Sequence, residues 1–245
     1  MKMYEKTHFI YCEDAQICCY ESGAGVPVVL LHGNGEDSSY WKNQVPVLVR
    51  MGFRVLAMDS RGHGKSEPGT RGLSFGLFAD DLKTALDTLN VPKAHIAGFS
   101  DGGNLAIKFA LKFPQYVDKL VLNGANIEMF KGVKAYTQLP LYPVVGMLAL
   151  AGKRNPAARQ KHDVLALMTR SYGVSWDDLR QIEAPALVIV GEHDMIRDAH
   201  SRRIAETLPN GEYLCLGGTS HFCAMESPAR FNLALLRFLR YTPSR

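Results

Sequence analysis

The sequence predicts an α/β protein built on a mostly parallel sheet with helices on both of its faces. Short, near-continuous apolar runs recur along the 245 residues, and such runs are typical of strands buried on both faces. Segments with apolar residues at helical spacing separate these runs, as expected of parallel strands joined by crossover helices. Several runs end directly in polar, glycine-bearing turns. In open α/β sheets, ligands bind at these carboxyl ends of the strands.

The apolar runs divide the chain into predicted strands. Residues from about Thr7 to Tyr20 are expected to form two antiparallel strands joined near Glu13 and Asp14. The six further strands are predicted at Pro27–Leu31, Phe53–Met58, Ala94–Phe99, Val117–Leu122, 186–190 and Tyr213–Leu216.

Helices are predicted between these strands from apolar residues at helical spacing. The first is expected to be capped by Ser38 and Ser39, whose hydroxyls are good N-cap acceptors. The last is expected to begin at Ser227 and Pro228, a favourable pair of N-cap and first-turn residues. Together with the strands, these helices give a repeating β-α order that predicts one layered core.

The segment Gly98–Gly102, GFSDG, matches the pattern G-x-S-x-G between a predicted strand and a predicted helix. A serine held in a sharp strand-to-helix turn leaves no space for a Cβ two residues before or after it, which explains both glycines. Gly102, Ala106 and Ala110 give the following helix a face of small residues that can pack closely on a sheet. Ser100 is therefore the candidate nucleophile.

A serine hydroxyl needs a base, and the base is usually a histidine oriented by a carboxylate. In this type of site the chain order is Ser, then Asp or Glu, then His. Asp194 follows the strand at 186–190, and His221 follows the last predicted strand. Glu192 and Asp198 lie close to Asp194 in sequence and remain alternatives for the acid.

An oxyanion also needs preorganised N–H donors. The backbone N–H of Asp101, the residue after the nucleophile, is one candidate. The other is the backbone N–H of Asn34, in the glycine-bearing turn His32–Gly35 after the third strand. The Asp101 side chain allows two interpretations: a charge stabilised at a helix N-terminus, or a carboxylate that binds a cationic group of the substrate.

Residues 127–183 interrupt the alternation of strands and helices. We expect them to form a helical cap inserted into a core of residues 1–126 and 184–245, although a helical decoration without a role in binding is the alternative. A cap at the carboxyl ends of the strands would cover Ser100 and wall an apolar pocket. The cap residues expected to contact the substrate are Met129, Phe130, Tyr142, Met147 and Trp176.

The remaining histidines are expected to be structural. His200 falls in a predicted helix, where we expect a surface residue. His32, His63 and His193 lie in turns and are expected to shape those turns through hydrogen bonds.

Several function classes are disfavoured by composition and motifs. The formal net charge of +4 is spread along the chain, which argues against nucleic-acid binding. Neither G-x-x-x-x-G-K-[ST] nor a G-x-G-x-x-G after a strand is present, so a nucleotide cofactor is not expected. No His or Cys cluster has metal-ligand spacing, so we expect neither a metal nor a cofactor.

The five cysteines predict a reducing, cytoplasmic setting, since their number is odd and no C-x-x-C occurs. The N-terminal residues lack the apolar core of a signal peptide. The longest apolar stretch, Leu139–Ala151, is too short to span a bilayer. We expect a monomer or homodimer that binds neither membrane nor nucleic acid.

Five motifs in order resemble those of the α/β-hydrolase superfamily: HGNG at 32–35, DSRGHGKS at 59–66, GFSDGG at 98–103, GEHD at 191–194 and TSHF at 219–222. The resemblance implies an eight-stranded sheet with a helical cap after the sixth strand. It also implies Ser100 as nucleophile, His221 as base, Asp194 as orienting acid, and Asn34 and Asp101 as oxyanion donors.

This superfamily contains several activities, so fold alone does not choose among them. The GFSDGG motif looks most like that of small serine esterases, a group that includes enzymes cleaving amino-acid esters. The resemblance thus implies a carboxylesterase-like serine hydrolase that cleaves a small carboxylic ester through an acyl-enzyme. The alternatives are a carbon–carbon bond hydrolase on the same fold or a non-enzymatic ligand receptor.

Overall fold

The computed structural model describes residues 3–240, and within them eight strands form one sheet in the order β1-β2-β4-β3-β5-β6-β7-β8. The β1-β2 and β2-β4 pairs are antiparallel, and all other pairs are parallel. The predicted fold class is confirmed. The strands are β1 (Lys6–Cys12), β2 (Ala15–Ser22), β3 (Val26–Leu31), β4 (Phe53–Met58), β5 (Ala94–Phe99), β6 (Val117–Asn123), β7 (Ala186–His193) and β8 (Gly211–Ser220).

Eleven α-helices are assigned within the described residues. They are α1 (Val45–Arg50), α2 (Phe75–Thr88), α3 (Asp101–Lys112), α4 (Met129–Gly132), α5 (Ala135–Gln138), α6 (Leu141–Gly152), α7 (Pro156–Ala166), α8 (Trp176–Leu179), α9 (Asp198–Thr207), α10 (Cys223–Glu226) and α11 (Pro228–Arg240). Three short 3-10 helices lie at Ser38–Asn43, Pro114–Tyr116 and Leu167–Thr169.

The sheet separates two apolar cores because side chains alternate between its faces along each strand. Val29 and Leu31 of β3 join the core that includes residues of α2, α3 and α9. Val28 and Leu30 of the same strand join the core beneath α1 and α11. Both faces of the central strands are therefore buried, which is why these strands are near-continuous apolar runs in the sequence.

Two sequence predictions of element ends are wrong. The first 3-10 helix is capped by Asp37, whose side chain accepts from Ser39 N, while Ser38 N donates to Asp59 Oδ1 at 2.8 Å. Strands β7 and β8 are longer than predicted because they continue to pair through their glycines, as far as His193 opposite Ser220. This extra length brings the ends of the two strands side by side.

The loop after β4 is tied together by a buried arginine. The Arg61 side chain is fully buried, and its Nη2 donates to Asp81 Oδ1 at 2.7 Å and to Cys12 O at 3.0 Å. Asp14 accepts a further hydrogen bond from Arg61 Nη1. Removing one partner of such a buried pair leaves an uncompensated charge, so this part of the DSRGHGKS motif is structural.

Helices α4–α8 lie between β6 and β7, in the segment where the sequence predicts the cap. A short antiparallel bridge between Val133 and Ile196 joins this segment to the loop after β7. Beside it, Lys134 N donates to Met195 O at 2.9 Å and Arg197 N donates to Gly132 O at 2.8 Å. Backbone hydrogen bonds thus position α4 and α5 over the carboxyl ends of the strands.

No helix within residues 3–240 is both long enough and apolar enough to cross a membrane.

Candidate active site

Ser100 occupies a strained turn between β5 and α3. Its φ of 52° and ψ of −117° are unusual for a residue with a side chain, and such a conformation costs about 1 to 3 kcal/mol. A Cβ at Gly98 would lie 2.1 Å from Gly102 O, and a Cβ at Gly102 would lie 2.3 Å from Leu31 O. The two glycines of the motif are therefore required by close backbone packing.

Asp194 and His221 form a buried pair at the carboxyl ends of β7 and β8. His221 Nδ1 lies 2.7 Å from Asp194 Oδ1, and both side chains are at most 5% exposed. Ile196 N also donates to Asp194 Oδ1, at 2.8 Å. These contacts fix the imidazole by its Nδ1 and leave Nε2 for other partners.

The two alternative acids have other partners. Glu192 Oε2 accepts from Gly218 N at 2.8 Å. Asp198 pairs with Arg202, whose Nε lies 2.6 Å away, and accepts from Tyr213. Of these three carboxylates, Asp194 is thus the one that contacts His221.

His221 packs against Phe99, the residue before Ser100. The two ring centroids are 4.8 Å apart. Within residues 3–240, no side-chain hydrogen bond joins Ser100 to His221. Catalytic hydrogen bonds are often long in the absence of substrate and shorten when it binds.

The backbone N–H groups of Asp101 and Asn34 are the two predicted oxyanion donors. Asp101 is the first residue of α3, so its N–H has no partner inside the helix. The N–H of Asn34 donates to no protein acceptor within the described residues. The preceding N–H, of Gly33, is instead taken by Glu36 Oε2 at 3.2 Å. Both N–H groups are thus free to donate to a ligand, as an oxyanion hole would require.

The Asp101 carboxylate belongs to a buried network of amides. Its Oδ2 accepts from Asn34 Nδ2 at 2.9 Å, and its Oδ1 accepts from Asn104 Nδ2 at 3.4 Å. Burial raises its pKa to about 6, against the lowering effect of these two hydrogen bonds. Asn34 Nδ2 also donates to Val164 O of α7 at 2.7 Å. The network therefore connects the turn that holds Ser100 to α7.

A cavity of about 220 Å³ lies between Ser100 and the cap. Its walls come from the turn around Ser100, from α4, α5 and the start of α6, from the 3-10 helix at Leu167–Thr169, and from the loop after β7. The lining residues are Ser100, Asp101, Asn126, Met129, Val133, Thr137, Gln138, Leu141, Met168, Met195 and Ile196. We refer to this space as the Ser100 cavity.

Of the five cap residues expected to contact substrate, the Ser100 cavity includes Met129. The other four do not line this cavity, so we exclude them from the candidate site. Phe130 and Tyr142 stack on each other near the surface, with ring centroids 5.9 Å apart. Met147 is 62% exposed, and Trp176 packs edge-on against His200.

His200 is buried, so its predicted surface position is wrong. Its Nε2 accepts from Ile127 N at 3.2 Å, and burial lowers its pKa to about 4. His32 is also buried and shapes its turn as expected: Nε2 accepts from Ser60 N at 2.9 Å, and Nδ1 lies 2.7 Å from Gly33 O.

A larger cavity, of about 860 Å³, lies at the opposite ends of the strands, beside His95, Val117 and Pro185. None of Ser100, Asp194 and His221 lines it. We place the site at the smaller cavity because Ser100 and Asp101 line it. Within residues 3–240, no group of three or more His, Cys, Asp or Glu side chains could hold a metal ion.

Sequence reasoning missed several residues of this site. Asn104 lies three residues after Asp101 on the same helix, a spacing that permits the observed contact. No sequence signal pointed to Asn126 or Gln138, because their cavity forms only when the cap packs on the core. Burial raises the pKa of Glu36 to about 7, while nearby His221 acts to lower it. The proximity of Glu36 to His221 also depends on the fold, because the two residues are far apart in sequence.

Known proteins resemble this chain in both sequence and structure. Residues 26–144 match the family model for the alpha/beta hydrolase fold. A 2-hydroxy-6-oxononadienedioate/2-hydroxy-6-oxononatrienedioate hydrolase of Paraburkholderia phymatum is 32% identical, over 89% of this chain and 89% of the relative. The hydrolase of the same description from Cupriavidus pinatubonensis is also 32% identical, over 91% of this chain and 90% of the relative.

Solved structures of other hydrolases and related enzymes also resemble this chain. An N-acyl homoserine lactone degrading enzyme superposes with a TM-score of 0.79 at 27% identity, over 94% of this chain and all of the other. A meta-cleavage product hydrolase from Pseudomonas fluorescens gives a TM-score of 0.79 at 22% identity, over 97% of this chain and 98% of the other, which shows a shared fold. By these relationships, the chain belongs to the α/β-hydrolase fold family.

Proposed function

We propose that the chain is a serine hydrolase acting on a small carbonyl compound. The observation that carries this proposal is the buried Asp194–His221 pair beside a strained Ser100 with two free backbone donors. His221 Nε2 takes the proton of Ser100 Oγ as Oγ attacks the carbonyl carbon. The oxyanion accepts from the N–H groups of Asn34 and Asp101.

The second half of the reaction returns the enzyme to its starting state. When the tetrahedral intermediate collapses, the leaving group departs with its bonding electron pair and receives the proton from His221. Water then attacks the acyl-enzyme, giving its proton to His221, and the acid is released as Ser100 Oγ is reprotonated.

We propose a carbon–carbon bond beside a ketone as the first candidate for cleavage. The substrate named for the relatives, 2-hydroxy-6-oxononadienedioate, contains neither an ester nor an amide. Its hydrolysis must therefore break a carbon–carbon bond next to the 6-oxo group. This relationship favours carbon–carbon cleavage over the carboxylic ester that the motifs alone suggested.

A small ester or lactone is the second candidate, and the charge of the Ser100 cavity favours it. Asp101 is acidic, and none of the described residues lining the cavity is Lys, Arg or His. A dioate carries two carboxylates, which would lack a cationic partner there. The structural relative that degrades an acyl lactone has 27% sequence identity to this chain.

A panel of substrates tests the choice of bond. Purified protein is offered 2-hydroxy-6-oxo dienoates with and without a second carboxylate, p-nitrophenyl esters of increasing acyl length, and an acyl lactone. Turnover of the dienoates with kcat/KM above that of every ester and the lactone is the expected result. Ester or lactone turnover with inert dienoates would replace the first candidate by the second, and turnover of none would contradict both.

A further inference from the structure

Apolar side chains of the cap form a cluster at the surface of the molecule. Of the fourteen large apolar side chains that are exposed within residues 3–240, seven fall within residues 130–150. Single apolar residues are normal on a protein surface, whereas a large exposed cluster marks a binding surface. We call this cluster the apolar cap surface: Phe130, Tyr136, Leu139, Tyr142, Val144, Met147 and Leu150.

Helix α6 contributes four of the seven residues and adjoins the candidate active site. None of its twelve residues is charged, and none is buried. Phe130 of α4 stacks on Tyr142 of α6, with ring centroids 5.9 Å apart, so the surface continues from one helix to the other. Met129 and Leu141, the residues that precede these two aromatics, line the Ser100 cavity.

The charges around the apolar cap surface are all positive in sequence. Basic residues occur along the whole chain, but residues 129–162 contain six Lys or Arg residues and no Asp or Glu. Because six exceeds the net charge of +4, the rest of the chain is net negative. Lys131 lies 3.9 Å from Glu128 Oε1. The other five form no ion pair within residues 3–240: Lys134, Lys153, Arg154, Arg159 and Lys161.

These positive charges lie on both sides of α6 along the chain. Lys131 and Lys134 precede the helix, in the segment that holds α4 and α5, whereas Lys153 and Arg154 directly follow its last residue. Lys131, Lys153 and Arg154 are exposed. An uncharged apolar surface is thus flanked by solvent-accessible cations.

Charge decides which partner fits this surface. In a symmetric dimer the same face of each copy meets the other, so the positive charges of two copies would be brought together, which is unfavourable. An anionic lipid surface instead offers acyl chains to the apolar residues and negative head groups to Lys and Arg. Helix α6 is about 18 Å long, and it can lie in the interface because it is shorter than the hydrocarbon core of roughly 30 Å.

We propose that the apolar cap surface docks on an anionic lipid bilayer, with α6 lying in the interface. The expectation that the chain binds no membrane depended on the lack of a spanning segment, and docking in the interface needs none. The inference does not depend on the proposed function. It holds for either candidate bond and sets no limit on the charge of the substrate.

Flotation of the full chain with lipid vesicles at low salt tests the docking. Vesicles of equal parts phosphatidylglycerol and phosphatidylcholine are compared with vesicles of phosphatidylcholine alone. We expect binding to the anionic vesicles to be at least about tenfold tighter and to weaken in about 0.5 M salt, which screens exposed charges. Equal binding to both kinds of vesicle, or binding to neither, would overturn the proposal.

The variant Leu150→Gln tests the apolar contact. It should weaken binding to the anionic vesicles by roughly tenfold, because a polar side chain replaces one that enters the lipid. Leu233→Gln is the matched control, since Leu233 of α11 is 60% exposed and lies outside the apolar cap surface. The control should change binding by less than about twofold, and equal losses in the two variants would contradict docking through α6.

A double variant, Lys153→Gln with Arg154→Gln, tests the contribution of charge. Binding to the anionic vesicles should weaken by roughly twentyfold, about fivefold for each charge removed near the lipid. Lys42→Gln with Arg50→Gln is the control, because it removes two exposed charges outside residues 129–162. The control should lose less than about threefold. The same loss in both double variants would show a response to net charge alone and overturn the placement of the surface.

Sedimentation velocity without lipid tests whether a second copy covers the surface instead. We expect the wild type and Leu150→Gln to sediment with the same mass. A dimer that Leu150→Gln converts into a monomer would show that two copies meet through this surface, and it would overturn the assignment to lipid.

Discussion

Helices α3 and α6 are both twelve residues long, yet nine residues of α3 are buried and none of α6 is. The sequence of α6, LYPVVGMLALAG, is the more apolar of the two. Helix α3 buries its side because glycine and alanine allow its backbone to approach β3 and β5 closely. The comparison teaches that apolar content alone does not decide burial, since the opposing surface must also be available.

The same contrast is found within residues 127–183. Leu167, Val174, Leu179 and Ile182 of this segment join the apolar cluster on one face of the sheet. Helix α6 has no buried residue, and its neighbour α7 is tied to the loop after β4 by a hydrogen bond from Gln160 Nε2 to Gly62 O at 2.9 Å. Regions with few buried contacts open at lower free energy, so we expect α6 to be the least stable part of this segment.

The largest expected difference between the two regions concerns activity. Ser100→Ala or His221→Ala should lower kcat by roughly 10⁴- to 10⁶-fold, and the double variant should be little worse because the groups act as a unit. Met147→Ala, in the exposed part of α6, should change kcat less than about twofold. Steady-state kinetics on the best substrate of the panel compares these four variants with the wild type. Activity above a few per cent in Ser100→Ala would place the nucleophile elsewhere.

The next difference concerns stability. Leu105 of α3 is 1% exposed and Leu150 of α6 is 68% exposed. Leu105→Ala should lower the free energy of unfolding by about 2 to 5 kcal/mol through lost burial and a cavity. Leu150→Ala should change it by less than about 0.5 kcal/mol. Urea unfolding of both variants checks this pair, and equal effects would show that α6 is covered in solution.

A smaller effect is expected from the buried Asp101. Because burial raises its pKa to about 6 from an ordinary 3.8, the neutral carboxyl is favoured in the folded state. The resulting stability is fully present below about pH 3.8 and is lost as the pH rises through 6. Relative to Asp101→Asn, the wild type should thus lose roughly 2 to 3 kcal/mol of unfolding free energy between pH 4 and 8. If the difference in unfolding free energy between the wild type and Asp101→Asn does not change with pH, the raised pKa of Asp101 is contradicted.

The smallest expected effect distinguishes the two interpretations of the Asp101 side chain. It is either a charge stabilised at a helix N-terminus or a carboxylate that binds a cationic group of the substrate. Its bonds to two amides favour a structural role at the start of α3. Amino-acid esters and their des-amino counterparts should then show the same kcat/KM ratio in the wild type and in Asp101→Asn. A preference for the amino ester that disappears in Asp101→Asn would instead show that the carboxylate binds a cationic group.

The sequence could predict the core because each of its signals is local. Asp194 and His221 follow apolar runs directly, and the carboxyl ends of parallel strands meet at one edge of the sheet. The glycines around Ser100 reflect a steric requirement within five residues. These features need no knowledge of distant packing.

The cap could not be predicted in the same detail. His200 and Trp176 contact each other across two segments, and their burial depends on how the cap meets α9. Gln138 lines the cavity beside Val133 and Ile196, which form a bridge between two segments far apart in sequence. Aromatic and methionine residues were therefore assigned to the pocket by residue type, and only Met129 of them lies there.

The central claim is that Ser100 is the nucleophile activated by His221 and Asp194. Reaction with a fluorophosphonate followed by peptide mass spectrometry tests it most directly, since the label identifies the attacking atom's residue. We predict one label on the peptide containing Ser100, much slower labelling in His221→Ala, and none in Ser100→Ala. A label on another residue, or unchanged labelling in His221→Ala, would contradict the account.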